Sequence, residues 1–284
     1  MPVIRMRLAY DGTDFAGWQV QPDQRTVQVE IEAGIEKLTG ERVQVLSAGR
    51  TDSGVHAIGQ VASFRTSATI PGPNWRAALQ TVISGDITLL ESEVAPDDFH
   101  ATFSAKRKCY RYVIQTGPTI APFLRRYAHH YRAALDVDAM RKAAACLVGT
   151  HDFRSFETDW PNKATSVRTI ESLRIARGRD WPIWSPRSLL ADGADVAGDH
   201  VSAEEAPGIV PGDQIVIEIT ADGFLYNMVR TIVGTLIPIG RGTWPVDALE
   251  RIRDSQDRRV AGNTAPACGL YLVWVDYGDG FGCP

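Results

Sequence analysis

The residues of this chain best suited to chemistry lie in one short string, Ala48-Gly49-Arg50-Thr51-Asp52-Ser53-Gly54-Val55-His56. Two glycines bracket a cation, a hydroxyl and a carboxylate, and they allow a tight loop whose polar tips share a direction. A carboxylate held this way serves as a nucleophile or as a general base, and the spacing leaves both open. Arg50 lies two residues from Asp52 and projects with it if the local chain is extended. No Gly-Lys-Ser/Thr follows, so the string is not a phosphate-cradling loop. Read locally, it suits a hairpin connection with solvated polar residues equally well.

A second string, Lys106-Arg107-Lys108-Cys109-Tyr110-Arg111-Tyr112, sets cations beside aromatics. Cations followed by an exposed ring suit a phosphate backbone and a stacked base. A solvated strand edge and a core tyrosine are the plainer alternatives. Arg230 stands among Leu225, Met228, Val229, Ile232 and Val233, surroundings that argue against a merely solvated guanidinium. His56, His100, His129, His130 and His151 show no metal-ligating spacing; His56 is expected to orient the Asp52 loop and His100 to support the site. The cysteines, Cys109, Cys146, Cys268 and Cys283, form no C-x-x-C pair, so neither zinc nor a disulfide frame is expected.

Several elements must position these groups. A strand is predicted over 3–10. Thr26 is placed to cap a helix running to about Leu38, with Val27, Ile31, Gly34, Ile35 and Leu38 on one face and Gly40 ending it. Strands around 43–48 and 59–65 flank the loop, followed by a helix from Asn74 to about Ile83 and a strand at 87–94. This is a β-α-β-β-α-β order. A looser second set follows: a strand at 104–115, a helix at 137–147, strands at 166–176 and 214–220, and a helix at 224–237. A short helix starts near Pro245, and a strand covers 270–276. Arg230 then shares a helical face with Tyr226 and Gly234, the glycine leaving room for another backbone. The expected domains are 1–103 and 104–284, the second carrying an acidic insertion at about 179–211 that reads as a hairpin extension.

With 284 residues, 44% hydrophobic and 23% charged, the chain suits one large or two medium globular domains. No apolar run approaches the roughly 18 residues of a spanning helix, and the first residues alternate like a strand. The cytoplasm is the expected compartment. A net charge of −4 argues at first against a nucleic-acid ligand, but the charge is segregated. Residues 99–135 carry seven basic side chains (Lys106, Arg107, Lys108, Arg111, Arg125, Arg126, Arg132) and no acid. Residues 178–214 carry seven acids against two arginines. A basic face on a near-neutral body suits a phosphate-bearing partner.

In order along the chain, these strings resemble the signature of the TruA-type tRNA pseudouridine synthases. They are Tyr10-Asp11-Gly12-Thr13 with Gly17-Trp18-Gln19, the Asp52 string, Pro96-Asp97-Asp98-Phe99-His100-Ala101 with Phe103-Ser104-Ala105, and Tyr110-Arg111-Tyr112. Phe224-Leu225-Tyr226-Asn227-Met228-Val229-Arg230 and Gly269-Leu270-Tyr271-Leu272 complete the set. The resemblance implies an α/β (α+β) fold of two ferredoxin-like halves with mainly antiparallel sheets and a central cleft. It implies an isomerase making pseudouridine at positions 38, 39 and 40 of the anticodon stem-loop, with tRNA as partner, a homodimer and no cofactor. By the same resemblance Asp52 is catalytic on a flipped-out uridine, Tyr110 stacks on it and Arg230 pairs with Asp52. Arg50 displaces the base, Lys106, Arg107, Lys108 and Arg111 face the RNA, and His56, His100 and Leu270 support. Two rivals remain. One is an RNA binder without catalysis; the other is a carboxylate-based nucleoside or sugar hydrolase using the Asp97-Asp98 pair.

Overall fold

A computed structural model describes residues 1–158, 165–178 and 214–282 of the chain; the acidic insertion expected at 179–211 lies outside them. The first elements are β1 (Val3–Tyr10), α1 (Val27–Thr39), β2 (Leu46–Ser47), β3 (His56–Arg65), α2 (Trp75–Gln80) and β4 (Ile87–Ala95). Next come β5 (Arg107–Thr116), β6 (His129–Tyr131), α3 (Val137–Ala144), β7 (Gly149–Asp152), β8 (Val167–Gly178) and β9 (Gln214–Ala221). The last are α4 (Met228–Gly240), α5 (Ala248–Ser255) and β10 (Leu270–Asp276). They form two compact units, one of Met1–Tyr110 with the segment from Leu270, the other of Arg111–Gly269. The sequence reading put the division at 103/104 and gave the final strand to the second half.

In the first unit β1 pairs antiparallel with both β3 and β4. The other edge of β3 is shared. β2 covers its far end (Leu46↔Ser63), and β10 runs parallel to its start (Tyr271↔His56). A Cβ on Gly59 would lie 2.4 Å from the Val273 carbonyl oxygen, so only glycine lets these strands approach. The register between β1 and β3 shifts between Leu8 and Tyr10, where β3 carries one residue more than β1, a bulge on β3. Helix α1 is capped as predicted. Thr26 accepts from the Val29 N–H, Gly40 takes the left-handed conformation, and Val27, Ile31, Gly34 and Ile35 face the core. Phe64 meets Trp75 edge-on, ring centroids 5.0 Å apart, tying β3 to α2.

In the second unit the sheet order is β5-β9-β8-β7, with β8 antiparallel to both neighbours and β6 parallel to β5. Asp136 caps α3 by accepting from Asp138 and Ala139. Gly240 of α4 lets Met140 of α3 approach, and a Cβ on Gly234 would lie 1.7 Å from the Asn263 carbonyl oxygen. Gly234 does leave room for another backbone. The fold is α+β with mainly antiparallel pairing, as expected.

Several boundaries differ, each for a local reason. The strand expected at 43–48 shrinks to Leu46–Ser47, because the Val45 N–H donates to Glu32 of α1, not to a strand. His56 opens β3 and so belongs to the sheet, not to the loop. The helix expected from Asn74 becomes a 3-10 turn at Gly72–Asn74 and the six-residue α2. Helix α4 begins at Met228, not 224, because Asn227 adopts φ 62°; Tyr226 is therefore outside the helix and does not share a helical face with Arg230. Helix α5 starts three residues after Pro245, whose carbonyl accepts from the Ala248 N–H. The short strands β6 and β7, which carry His129, His130 and His151, had no sequence signal.

Candidate active site

The Asp52 loop is held by the segment that follows β1. Thr51 presents its carbonyl to the Trp18 N–H (2.9 Å) and its hydroxyl to that of Tyr10 (2.8 Å). Gln60 of β3 donates to the Gly49 carbonyl (2.7 Å) and more weakly to the Tyr10 hydroxyl (3.4 Å). Gly54, at φ 75°, donates to the Phe15 carbonyl, and Val55 closes a turn onto the Asp52 carbonyl. The two segments touch backbone to backbone. A Cβ on Gly12 would lie 2.0 Å from the Val55 oxygen, and one on Gly17 would lie 2.6 Å from the Thr51 oxygen. Gly17 also sits at φ 103°. Both glycines are therefore required by close approach, not by flexibility.

His56 lies beneath this arrangement, fully buried and stacked on Tyr271 at 4.9 Å. Its Nδ1 accepts from the Gly12 N–H (3.0 Å) and lies 3.2 Å from Asp11 Oδ1. Asp11 Oδ1 already accepts from the Thr13 backbone N–H and hydroxyl. Leu270, buried at the start of β10, precedes the Tyr271 that pairs with His56. His56 thus braces the Gly12 backbone.

Asp52 is half-buried and Arg50 exposed. Tyr110 is buried to 8% exposure at the end of the first unit, with its hydroxyl over Gly49. Burial pushes its phenol well above the ordinary tyrosine range, and the Tyr10 phenol and the Asp52 charge push it further. The carboxylate and the ring are therefore electrostatic neighbours. Burial likewise raises Tyr10 to about 12, against the pull of its bonds to Thr51 and Gln60, so it stays a neutral hydroxyl. Lys108 reaches the same loop, its Nζ donating to the Ala48 carbonyl at 2.5 Å.

The remaining cations separate. Lys106 is exposed, and Arg107, 44% exposed at its side chain, is bonded to Asp276 at 2.7 Å. Arg111 corrects the reading of the basic run as a single face. It is fully buried and bonded through Nε to Glu218 at 2.8 Å, a structural ion pair within the second unit with no route to a phosphate. In that unit Arg230 is half-buried on α4, donating to the Ala265 carbonyl (2.7 Å) and to Asn227 Oδ1 (2.9 Å). His100 accepts from the Thr102 and Phe103 N–H groups, pinning the turn after Phe99.

The sequence pattern of the tRNA pseudouridine synthases matches residues 7–104 and 143–278. Proteins named tRNA pseudouridine synthase A match nearly end to end. That of Moorella thermoacetica is 44% identical over 280 residues, 98% of this chain and all of its own length. Those of Brevibacillus brevis (42%) and Acetivibrio thermocellus (41%) cover 98% and 96% of this chain and 100% and 99% of their own. The chain belongs to the tRNA pseudouridine synthase family. That family pattern spans the Asp52 loop, Arg230 and Leu270, whereas Lys106–Arg111 and Tyr110 fall between its two matched segments and are covered by the full-length relatives. Within this synthase framework the sequence reading missed Thr51, Gln60 and the role of Tyr10, which fix the loop from behind. The signal was faint: two glycines, Gly12 and Gly17, in a polar stretch that no turn alone requires.

Proposed function

We propose that this chain isomerises uridine to pseudouridine in tRNA, at positions 38, 39 and 40 of the anticodon arm, with Asp52 as the catalytic carboxylate. The observation that carries this reading is the loop itself. Asp52 stands on a backbone fixed by Thr51, Gly17 and Gln60, beside the buried ring of Tyr110. A preorganised acidic group next to an aromatic surface suits an unstacked base better than it suits plain RNA binding. The reaction breaks the N1–C1′ bond, turns the uracil and joins C5 to C1′, releasing the C5 proton; atoms balance without a co-reactant. Asp52 acts as nucleophile or as base on the sugar, and either role needs it ionised. The resemblance supplies Arg230 as the cation that keeps it so, Arg50 as the group that displaces the base, and a homodimer acting in the cytoplasm.

Incubation with tRNA tritiated at C5 of uridine tests the reading. Tritium release from uncleaved RNA, with pseudouridine mapping to 38–40, is the expected result. Free uracil would indicate a hydrolase, and binding without chemical change would indicate a non-catalytic RNA protein.

A further inference from the structure

Phe103 is 83% exposed, yet the turn that carries it is tied down by several hydrogen bonds. His100 Nδ1 accepts from the Thr102 N–H at 3.1 Å and, more weakly, from the Phe103 N–H. The Ser104 N–H donates to the His100 carbonyl (2.9 Å), and the His100 N–H donates to the Ser104 hydroxyl (3.0 Å). Buried Ala101 is fastened by the Tyr277 hydroxyl at 2.7 Å. The Thr102 hydroxyl donates to the Ser47 carbonyl at 2.6 Å, on the strand that leads into the Asp52 loop. The ring itself leans on that of His100, centroids 4.3 Å apart and planes 37° apart, leaving its other face to solvent.

An isolated exposed phenylalanine needs no explanation. One carried on a hydrogen-bonded turn, leaning on His100, tied to the strand before the Asp52 loop and followed in sequence by the exposed Lys106, does. The hydrophobic effect would fold such a ring inward if the turn allowed it, whereas a flat apolar face beside cations is what an unpaired nucleotide requires. We propose that Phe103 is a stacking platform for an unpaired base of the tRNA substrate next to the target uridine, held ready by His100. This rests on the proposed function, since it supposes a tRNA bound at the Asp52 loop. Phe103 is a positioning residue and takes no part in bond making.

The test uses the full chain and an anticodon stem-loop, with Phe103→Ala, Phe103→Leu and Phe103→Trp. Filter binding gives Kd, tritium release under single-turnover conditions gives rate, and sedimentation gives the oligomeric state. Loss of one stacked base is worth about tenfold in Kd. Phe103→Ala and Phe103→Leu should both show that loss with an unchanged sedimentation coefficient, while Phe103→Trp should bind as tightly as the parent. Binding by Phe103→Leu equal to the parent would reduce the contact to apolar area and overturn the proposal, as would an unaffected Phe103→Ala. A change in sedimentation accompanying weaker binding would assign the ring to a contact between copies and overturn it as well. Were the parent itself to release no tritium, the proposed function would fall instead, so the two failures are distinguishable.

Discussion

Gly17 is a position where a single methyl group should do harm without touching substrate. At φ 103°, with the Thr51 oxygen 2.6 Å from where a Cβ would stand, alanine must push the Asp52 loop away or strain its own backbone. Misplacing a catalytic group by about 1 Å costs on the order of a hundredfold. Gly17→Ala is therefore expected to lower single-turnover rate by roughly that factor, with tRNA affinity changed by less than about threefold; equal rates would detach the loop's position from catalysis. At this scale the candidate loop was legible in sequence, because Asp52, Arg50 and His56 sit in one string. What holds them was not. Tyr10 meets Thr51 across 41 positions, and Gln60 reaches Gly49 from the next strand, contacts that no local pattern encodes.

Among elements, β5 and β9 are joined by Arg111 and Glu218, both almost wholly buried. Removing one partner leaves an uncompensated charge in the core, a loss of about 3–5 kcal/mol. Glu218→Ala is expected to lower denaturant stability by that order, and the double replacement Arg111→Met with Glu218→Leu to recover much of it. A single variant as stable as the parent would contradict the assignment of Arg111 to the core. The basic run read as one solvated or RNA-facing edge because its partner lies 107 positions away. Helix α1 was legible nearly to the residue, since Thr26 and Gly40 are local signals. The start of α4 was not, because asparagine at 227 marks a left-handed residue only once the chain on either side is fixed.

For the whole molecule, charge governs both pH response and RNA affinity. Burial raises the carboxyls of Asp276 and Asp279, but bonds from Arg107 and the Gly278 N–H to the first, and from Arg5 and the Phe281 N–H to the second, outweigh it and hold both below the ordinary aspartate range. Groups depressed in the folded state contribute fully above their unfolded pKa of about 4 and lose that contribution as pH falls through the folded value. Thermal stability should therefore fall on acidification below about pH 4, and Asp279→Asn should flatten that fall; an unaltered profile would remove the Arg5 pair from acid sensitivity. Within the Lys106–Arg111 run Lys106 is the cation to test for phosphate contact, since Lys108 is committed to Ala48, Arg107 to Asp276 and Arg111 to Glu218. Lys106→Ala should reduce the salt slope of tRNA binding by about one. A slope equal to that of the parent would exclude Lys106 from the interface. The acid-free stretch 99–135 pointed to such a face, although burial of Arg111 shows that composition counts cations without saying which ones reach solvent.

The most direct measurement is the single-turnover rate of Asp52→Asn on tRNA, with Kd determined on the same preparation. A fall of at least about a thousandfold in rate with binding nearly unchanged is expected of a residue that makes or assists the bond change. Pseudouridine formed by Asp52→Asn at a rate within about tenfold of the parent would show that the carboxylate is not the catalytic group.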